Sequence, residues 1–411
     1  MKSRTSSSPL HILVVSERFH PEEFRVNDLV RHLAGRGHQV RVLTQIPSYP
    51  HGRVFDGWRN RGVDGEVWAG ARVTRVPTVT GYEASLRRKL LNYLAFAWRG
   101  SRAALAGARP DVVLSFQTGP LTSALPAVLL ARWRAVPFVI WTQDLWPDSV
   151  WAYGFRRSAP RAALLNAFVR FCYRPAARVL VSCAGFRDAL APFLPAGRQA
   201  EFVPNWADEP PARTEPRPWA RDDRLHLVFA GNLGKVQNLD RLLDAWAGLP
   251  APTAARLRLH LVGDGSHAAH LRRRVEGEGL PGVDFHGRIP AAEMGPVYAA
   301  SDGLLVSLDD QPIFRLTVPS KFQSCLAAGK PILAVAGGEL QRVVADEGLG
   351  LTAHPGRVEE IRAMVTAFAT LSPEERAAMG SRGRALLERD YRREAILATL
   401  DGVLRGAVGR P

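Results

Sequence analysis

Thr317-Val318-Pro319-Ser320-Lys321-Phe322-Gln323-Ser324, running on into Cys325-Leu326-Ala327-Ala328-Gly329-Lys330-Pro331, is the stretch on which the fold turns. An apolar run at 303–308 precedes it and another at 331–335 follows, so a loop ending in Pro-Ser-Lys opens a helix between two strands. Such a β-α-β unit implies a parallel sheet with helices packed on it. Proline is tolerated in a first helical turn, Ser320 is a candidate cap, and the backbone N–H groups at that end form an anion site. Lys321 adds a positive point charge there. Taken by itself the segment reads as an ordinary capped helix; its neighbours change that reading.

Outward from this unit, short apolar β-branched runs alternate with helix-patterned segments along the whole chain. In the first half the expected strands are 11–16, 40–44, 73–76, 112–116, 138–142, 179–182 and 201–204, and 27–35 and 159–173 are apolar at helical spacing. In the second half they are 225–230, 257–262, 283–286, 303–308, 331–335 and 350–353. Strands alternating with helices predict an α/β chain of two Rossmann-like, doubly wound domains, with ligands in a cleft at the carboxyl ends of both sheets. Residues 207–223 are proline-rich, charged and without apolar periodicity, which reads as a linker. The expected division is a domain at 1–206, the linker 207–223, a domain at 224–389, and a C-terminal helix at 390–411 that packs back on the first domain. Ser372 followed by Pro373 reads as the cap and first position of a late helix.

A length of 411 residues, with 46% hydrophobic and 23% charged residues, suits two globular domains. Three cysteines without metal-ligand spacing suggest free thiols in a reducing compartment. No stretch approaches the roughly 20 apolar residues of a membrane span, and the polar N-terminus lacks a signal-peptide core. The expected location is therefore cytoplasmic, either soluble or peripheral. Basic residues outnumber acidic ones 54 to 39, so the net charge of +15 calls for an anionic partner: nucleic acid, anionic lipid or a phosphorylated substrate. No zinc-finger spacing or RNA-binding aromatic signature accompanies the charge, which argues against nucleic acid.

Three glycine turns close strands of the second half. Gly231-Asn232-Leu233-Gly234-Lys235-Val236-Gln237-Asn238 follows the first, Val262-Gly263-Asp264-Gly265-Ser266 the second, and His286-Gly287-Arg288-Ile289-Pro290 the third. Glycine lets a backbone approach a phosphate closely, and Lys235 with the side-chain amides of Asn232 and Gln237 is placed to reach it. Any one of these is ordinary turn chemistry. Three at one end of a sheet, together with the Pro-Ser-Lys helix start, describe a nucleotide-diphosphate pocket that lacks the P-loop and G-x-G-x-x-G signatures.

In the first half, Arg25, Asn27 and Asp28 sit where a helix begins after the first strand, and Asp28 reads equally as its N-cap. Gln143 and Asp144 lie between Trp141 and Trp146 at the end of a central strand, and their side chains are expected to enter the cleft. Residues 86–102 are amphipathic: Leu86, Leu90, Leu91, Tyr93, Leu94, Ala97 and Trp98 share a face, with Arg88, Lys89, Arg99 and Arg102 largely opposite. That face either packs on its own domain or lies on anionic lipid, with Trp98 and Tyr93 at the interface.

With these residues in hand the chain resembles the GT-B-fold, retaining sugar-nucleotide glycosyltransferases of family 4, and within them the WbuB-type branch of bacterial surface-polysaccharide synthesis. The likeness covers nearly the whole chain. It is carried by Pro21-Glu22-Glu23-Phe24-Arg25-Val26-Asn27-Asp28, Arg36-Gly37-His38, Ile46-Pro47-Ser48-Tyr49-Pro50, Gln143-Asp144-Leu145-Trp146-Pro147-Asp148-Ser149, Pro204-Asn205-Trp206, Gly231 to Gln237, and Pro319-Ser320-Lys321 with Ala328-Gly329-Lys330-Pro331.

The resemblance implies transfer of a sugar from a nucleoside diphosphate, UDP first among them, with retention at the anomeric carbon. The acceptor it implies is a polyprenyl-diphosphate-linked or other glycan at the inner face of the cell membrane. The nucleotide belongs on the second domain and the acceptor on the first. It makes Gln143, Asp144, Arg25 and Asn27 candidate catalytic residues. Gly231, Asn232, Lys235, Gln237, Gly263, Gly265, Gly287, Arg288, Thr317, Ser320, Lys321, Ser324 and Glu339 become donor-site candidates, while the amphipathic segment itself supplies Arg88, Lys89, Trp98 and Arg99 as membrane candidates.

It implies no metal and no cofactor, and Asp309-Asp310 lacks a spaced third ligand. The chain departs from the family pattern in three places. Asn232 and Gln237 stand where most members carry Arg and Lys. The Glu-x7-Glu pair falls on Leu316 and Ser324, and the His-Asp pair reads Gln143-Asp144. Two rivals stay open from residues alone: a sugar-nucleotide epimerase on the same fold, and a non-catalytic nucleotide-sugar-binding protein. The sugar is also left open, with N-acetylated and deoxy hexoses among the options.

Overall fold

A computed structural model of the chain describes residues 8–82, 85–152, 158–207 and 222–409. Most of the expected linker, 208–221, lies outside the described residues. The chain forms two compact units, one of residues 1–204 with 394–411 and the other of 205–393.

The first unit is built on an eight-stranded sheet. Its strands are β1 (His11–Val15), β2 (Gln39–Gln45), β3 (Val63–Trp68), β4 (Ala71–Val76), β5 (Val112–Gln117), β6 (Phe138–Thr142), β7 (Arg178–Val181) and β8 (Glu201–Phe202). Their order is β3-β4-β2-β1-β5-β6-β7-β8, parallel except for the β3–β4 hairpin at one edge. The central strands β5 and β6 are buried at every position, as a parallel sheet covered on both faces requires. The expected strands all form; β3 does not appear in the sequence reading. Its burial alternates weakly and it holds Asp64, Gly65 and Glu66, so no apolar run announces it. The Arg393–Val408 helix groups with this unit. His38 Nε2 lies 3.0 Å from Asp401 Oδ1, and Arg405 donates to the Ser8 carbonyl at 2.9 Å.

The second unit carries the six-stranded parallel sheet β11-β10-β9-β12-β13-β14. These are β9 (Leu225–Ala230), β10 (Leu257–Val262), β11 (Val283–Gly287), β12 (Gly303–Ser307), β13 (Ile332–Val335) and β14 (Gly350–Ala353). Period-two side-chain alternation splits its core in two. Leu227, Phe229, Leu259, Leu261 and Leu305 pack on one face with Leu243, Trp246 and Phe368 from helices Leu239–Ala247 and Val358–Thr370. Val228, Leu304, Val306 and Ile332 pack on the other with Phe322, Leu326, Leu340 and Leu386. Ser372 closes a capping box with Glu375 at the head of the Pro373–Asp390 helix. Strand order reverses between β9 and β12 here, and between β1 and β5 in the first unit. Loops at such reversals are where open α/β sheets hold ligands.

Candidate functional site

In the second unit the three glycine turns meet backbone to backbone. Gly231 donates to the Val262 carbonyl at 2.9 Å, Gly263 to the Gly287 carbonyl at 2.7 Å, and Leu233 to the Asp264 carbonyl at 2.9 Å. A Cβ at Gly263, whose φ is +137°, would sit 1.8 Å from the Gly231 carbonyl oxygen, and one at Gly265 would sit 2.5 Å from Asn232 Oδ1. Glycine at 263 and 265 is thus imposed by loop-on-loop packing. Gly287 has positive φ, but nothing crowds the space where its Cβ would be.

Lys321, the first residue of the Lys321–Ala328 helix, reaches back to these turns. Its Nζ donates to Gln237 Oε1 at 2.9 Å and lies 3.9 Å from the centroid of the Phe229 ring. A Cβ on Gly231 would come within 3.2 Å of that Nζ. Burial pushes the ammonium down to about 8. Gln237 therefore holds the lysine, where the family pattern would place a second cation.

Ser320 does not cap this helix: its φ and ψ of −58° and −22° are already helical, and its side chain makes no capping bond. Lys235, Asn232, Arg288 and Ser320 are exposed, and Ser324 is half-buried on the helix. Thr317 spends its hydroxyl on the Ile313 carbonyl at 2.8 Å. Glu339 is buried in the first turn of the Glu339–Asp346 helix, behind Gly338, whose Cβ would strike the Arg315 carbonyl. Asp309 accepts from Gln311, and Asp310 pairs with Arg315.

In the first unit Gln143 and Asp144 directly follow β6 and are half-buried. Asp144 accepts a hydrogen bond from the Gly119 N–H, and burial raises its carboxyl above the ordinary range against that bond. Trp141 is buried in the core and donates to the Val203 carbonyl at 3.0 Å. Asn27 ties its own loop, donating to the Glu22 carbonyl at 2.7 Å and accepting from the His20 N–H. Arg25 is the first residue of the Arg25–Gly35 helix. The cap position is Phe24, and Asp28 pairs with Arg31 at 3.0 Å instead of capping.

Sequence reading missed a buried charged network at the end of β1. Glu17, Arg18 and Glu22 are all under 10% exposed. Arg18 lies 3.3 Å from Glu17 and 3.7 Å from Glu22, and its guanidinium stacks against Tyr49 and Tyr82. Gln45 and Asn92 donate to Glu17 at 3.2 Å, and the Ser48 and Tyr49 N–H groups donate to Glu22. Desolvation raises both glutamates, opposed chiefly by Arg18. The signal available was a Glu-Arg pair two residues behind the apolar run Ile12–Val15.

The Leu86–Ala106 helix packs through a face beside its leucine row rather than through the row itself. It buries Asn92, Phe96, Ala97, Gly100, Ser101 and Ala104, with Asn92 Oδ1 accepting from Thr78 Oγ1 and the Val79 N–H. Leu86, Leu90, Leu91, Leu94 and Trp98 are left 48–66% exposed. Ala97 belongs to the buried side and Tyr93 is half-buried, but the leucines keep about half of their surface uncovered. Arg88, Lys89 and Arg99 are exposed as well. No described helix is long and apolar enough to cross a membrane.

Residues 23–206 match the model of the glycosyl transferase 4-like domain, and residues 224–370 match that of the glycosyl transferases group 1. A probable glycosyltransferase, WbjE of Pseudomonas aeruginosa, is 27% identical over 69% of this chain and 71% of its own. A putative colanic acid biosynthesis glycosyl transferase, WcaI of Escherichia coli K12, is 25% identical over 97% of this chain and its own full length. Among solved structures, Anabaena HepE in complex with UDP-glucose superposes with a TM-score of 0.68 at 15% identity, covering 97% of this chain and all of its own. The shared fold is GT-B, two Rossmann-like α/β domains.

Proposed function

Because this chain belongs to the family-4 glycosyltransferases, we propose that its glycine turns and Lys321 hold a UDP-sugar and that it passes the sugar, with retention, to a polyprenyl-diphosphate-linked or other glycan acceptor in cell-surface polysaccharide synthesis. One observation carries the donor assignment. Lys321 Nζ is held by Gln237 beside Gly231, at the head of a helix and at the sheet's reversal point. Support also comes from HepE, which has the same fold and was solved with UDP-glucose, and from WcaI, whose name assigns it to colanic acid synthesis.

The chemistry follows from the charge. Breaking the bond between the anomeric carbon and the β-phosphate oxygen leaves a diphosphate of growing negative charge. Backbone N–H groups of the turns, the helix start and the Lys321 ammonium meet that charge more strongly in the transition state than before it. The acceptor hydroxyl bonds to the anomeric carbon on the face the diphosphate leaves, and its proton passes to the departing phosphate oxygen. This route requires no nucleophile from the protein. Asp144 and Gln143, with Arg25, orient the acceptor in the first unit, and Asn27 fixes the loop that leads to Arg25.

The Leu86–Ala106 helix extends the reading to a membrane. An exposed row of four leucines and Trp98, with Arg88, Lys89 and Arg99 beside it, suits the interface of an anionic bilayer, where a lipid-linked acceptor resides. Incubation of the full chain with a panel of UDP-sugars and bacterial membrane extract tests the whole reading. Labelled sugar appearing in the lipid fraction supports it. An isomerised donor, or donor binding without turnover, overturns it.

A further inference from the structure

The second unit carries a side-chain cluster that sugar transfer leaves unused. Asp240 lies in the first turn of the Leu239–Ala247 helix, and His267 and His270 occupy the N-cap and third position of the Ala268–Glu278 helix. Residues three apart share a helix face, so both imidazoles meet one carboxylate. His267 Nε2 is 2.6 Å from Asp240 Oδ2, His270 Nε2 is 3.0 Å from Oδ1, and the rings stack with centroids 4.4 Å apart. One ligand atom from each of the three residues falls within 4.8 Å of the others. We propose that Asp240, His267 and His270 bind a divalent cation of the zinc class, clipping together the two helices that follow the Gly231 and Gly263 turns.

The donor set selects the ion. Two imidazole nitrogens and one carboxylate oxygen suit zinc and its first-row neighbours, whereas Mg2+ and Ca2+ take oxygen shells. Three protein ligands leave a fourth tetrahedral position for water. An open groove lined by His270, Arg273, Arg274 and Glu278 borders the site and admits that water. Arg274 Nη1 lies 3.6 Å from Asp240 Oδ1, but Arg274 is also held by Asp244 at 2.5 Å and Glu278 at 2.7 Å, which offset its charge. Arg273 donates along its own helix to the Ala269 carbonyl.

The location gives the cation its consequence. The His267 N–H donates to the Leu233 carbonyl at 3.0 Å, and Arg274 donates to the Asp240 carbonyl at 2.9 Å. The loops presenting Gly231 and Gly263 are therefore already joined next to the cluster, and the ion adds a coordinate bond across the same junction. It is a structural clip, and no step of transfer passes through it.

The test uses tag-free full chain stripped with a chelator, then titrated with Zn2+ against a chromogenic competitor. The expected result is one equivalent bound, with affinity at least about tenfold lower in His270→Ala and in Asp240→Asn. Zn2+ should also raise the Tm of the parent chain and leave that of His270→Ala in place; His270 is exposed, so its removal spares the fold. Absence of stoichiometric binding, or affinity and Tm responses equal in parent and variants, would overturn the site. The readout is metal affinity, so it stands or falls apart from sugar transfer.

Discussion

The two sheets reverse strand order in the same way, yet they furnish their reversal points with opposite materials. Behind β9 the second unit places glycines, with Lys321 the charge that reaches them; behind β1 the first unit places Glu17, Arg18 and Glu22, all buried. A site built from backbone needs the absence of side chains, and its fragility lies in Cβ atoms. A site built from buried charges needs each charge compensated, and its fragility lies in any lost partner.

The contrast is broken most severely at Arg18. Arg18→Ala leaves Glu17 and Glu22 buried together without their cation, and should destabilise the chain by about 3–5 kcal/mol. Denaturant unfolding checks this, with a loss below about 1 kcal/mol speaking against a compensated network. Removing both charges, as Glu17→Gln with Arg18→Met, should cost less than Arg18→Ala alone.

Surface charge of the first unit gives the next effect. Replacing Arg88, Lys89 and Arg99 by Glu should lower binding to anionic vesicles by about 100-fold, taking about 1 kcal/mol for each basic residue near the lipid. Vesicle co-sedimentation unchanged by the substitutions would return the exposed leucines to some other partner.

In the glycine-built half, Gly263→Ala drives a methyl group into the Gly231 carbonyl and should cost at least about 2–3 kcal/mol, with donor turnover lost. Gly287→Ala meets no neighbour and should cost only about 1 kcal/mol, from its positive φ. Equal thermal shifts for the two variants would remove loop-on-loop packing as the reason for glycine at 263.

This difference in material also decided what could be read from the sequence. Parallel-sheet strands are apolar on both faces, so β5, β6 and β12 announce themselves as continuous runs, and glycine turns punctuate the sheet ends visibly. The β3 edge strand, with Asp64, Gly65 and Glu66, carries no such run and went unread. The Glu17–Arg18–Glu22 network went unread for another reason. Charged residues after a strand look like a solvated loop until tertiary packing buries them beneath Tyr49 and Tyr82. The leucines of the Leu86–Ala106 helix gave a true apolar face, but periodicity does not say whether protein or something else covers it. The helix packs through Asn92, Gly100 and Ser101, which no hydrophobic pattern marks. Likewise Ser320 has the composition of a cap and the dihedrals of a helical residue.

Lys321 is the proposed cation for the donor diphosphate, and titration of UDP binding by calorimetry across pH tests that role most directly. Burial holds the Lys321 ammonium at about 8, below its ordinary 10.5, so the charge a diphosphate needs is present at neutral pH and lost as pH rises through that value. Parent affinity should therefore fall above about pH 8. Lys321→Ala should bind UDP at least about tenfold more weakly at neutral pH, the equivalent of one charge-assisted hydrogen bond, and its alkaline fall should disappear. Equal UDP affinity in the two proteins, with the same alkaline limb, would contradict that role for Lys321.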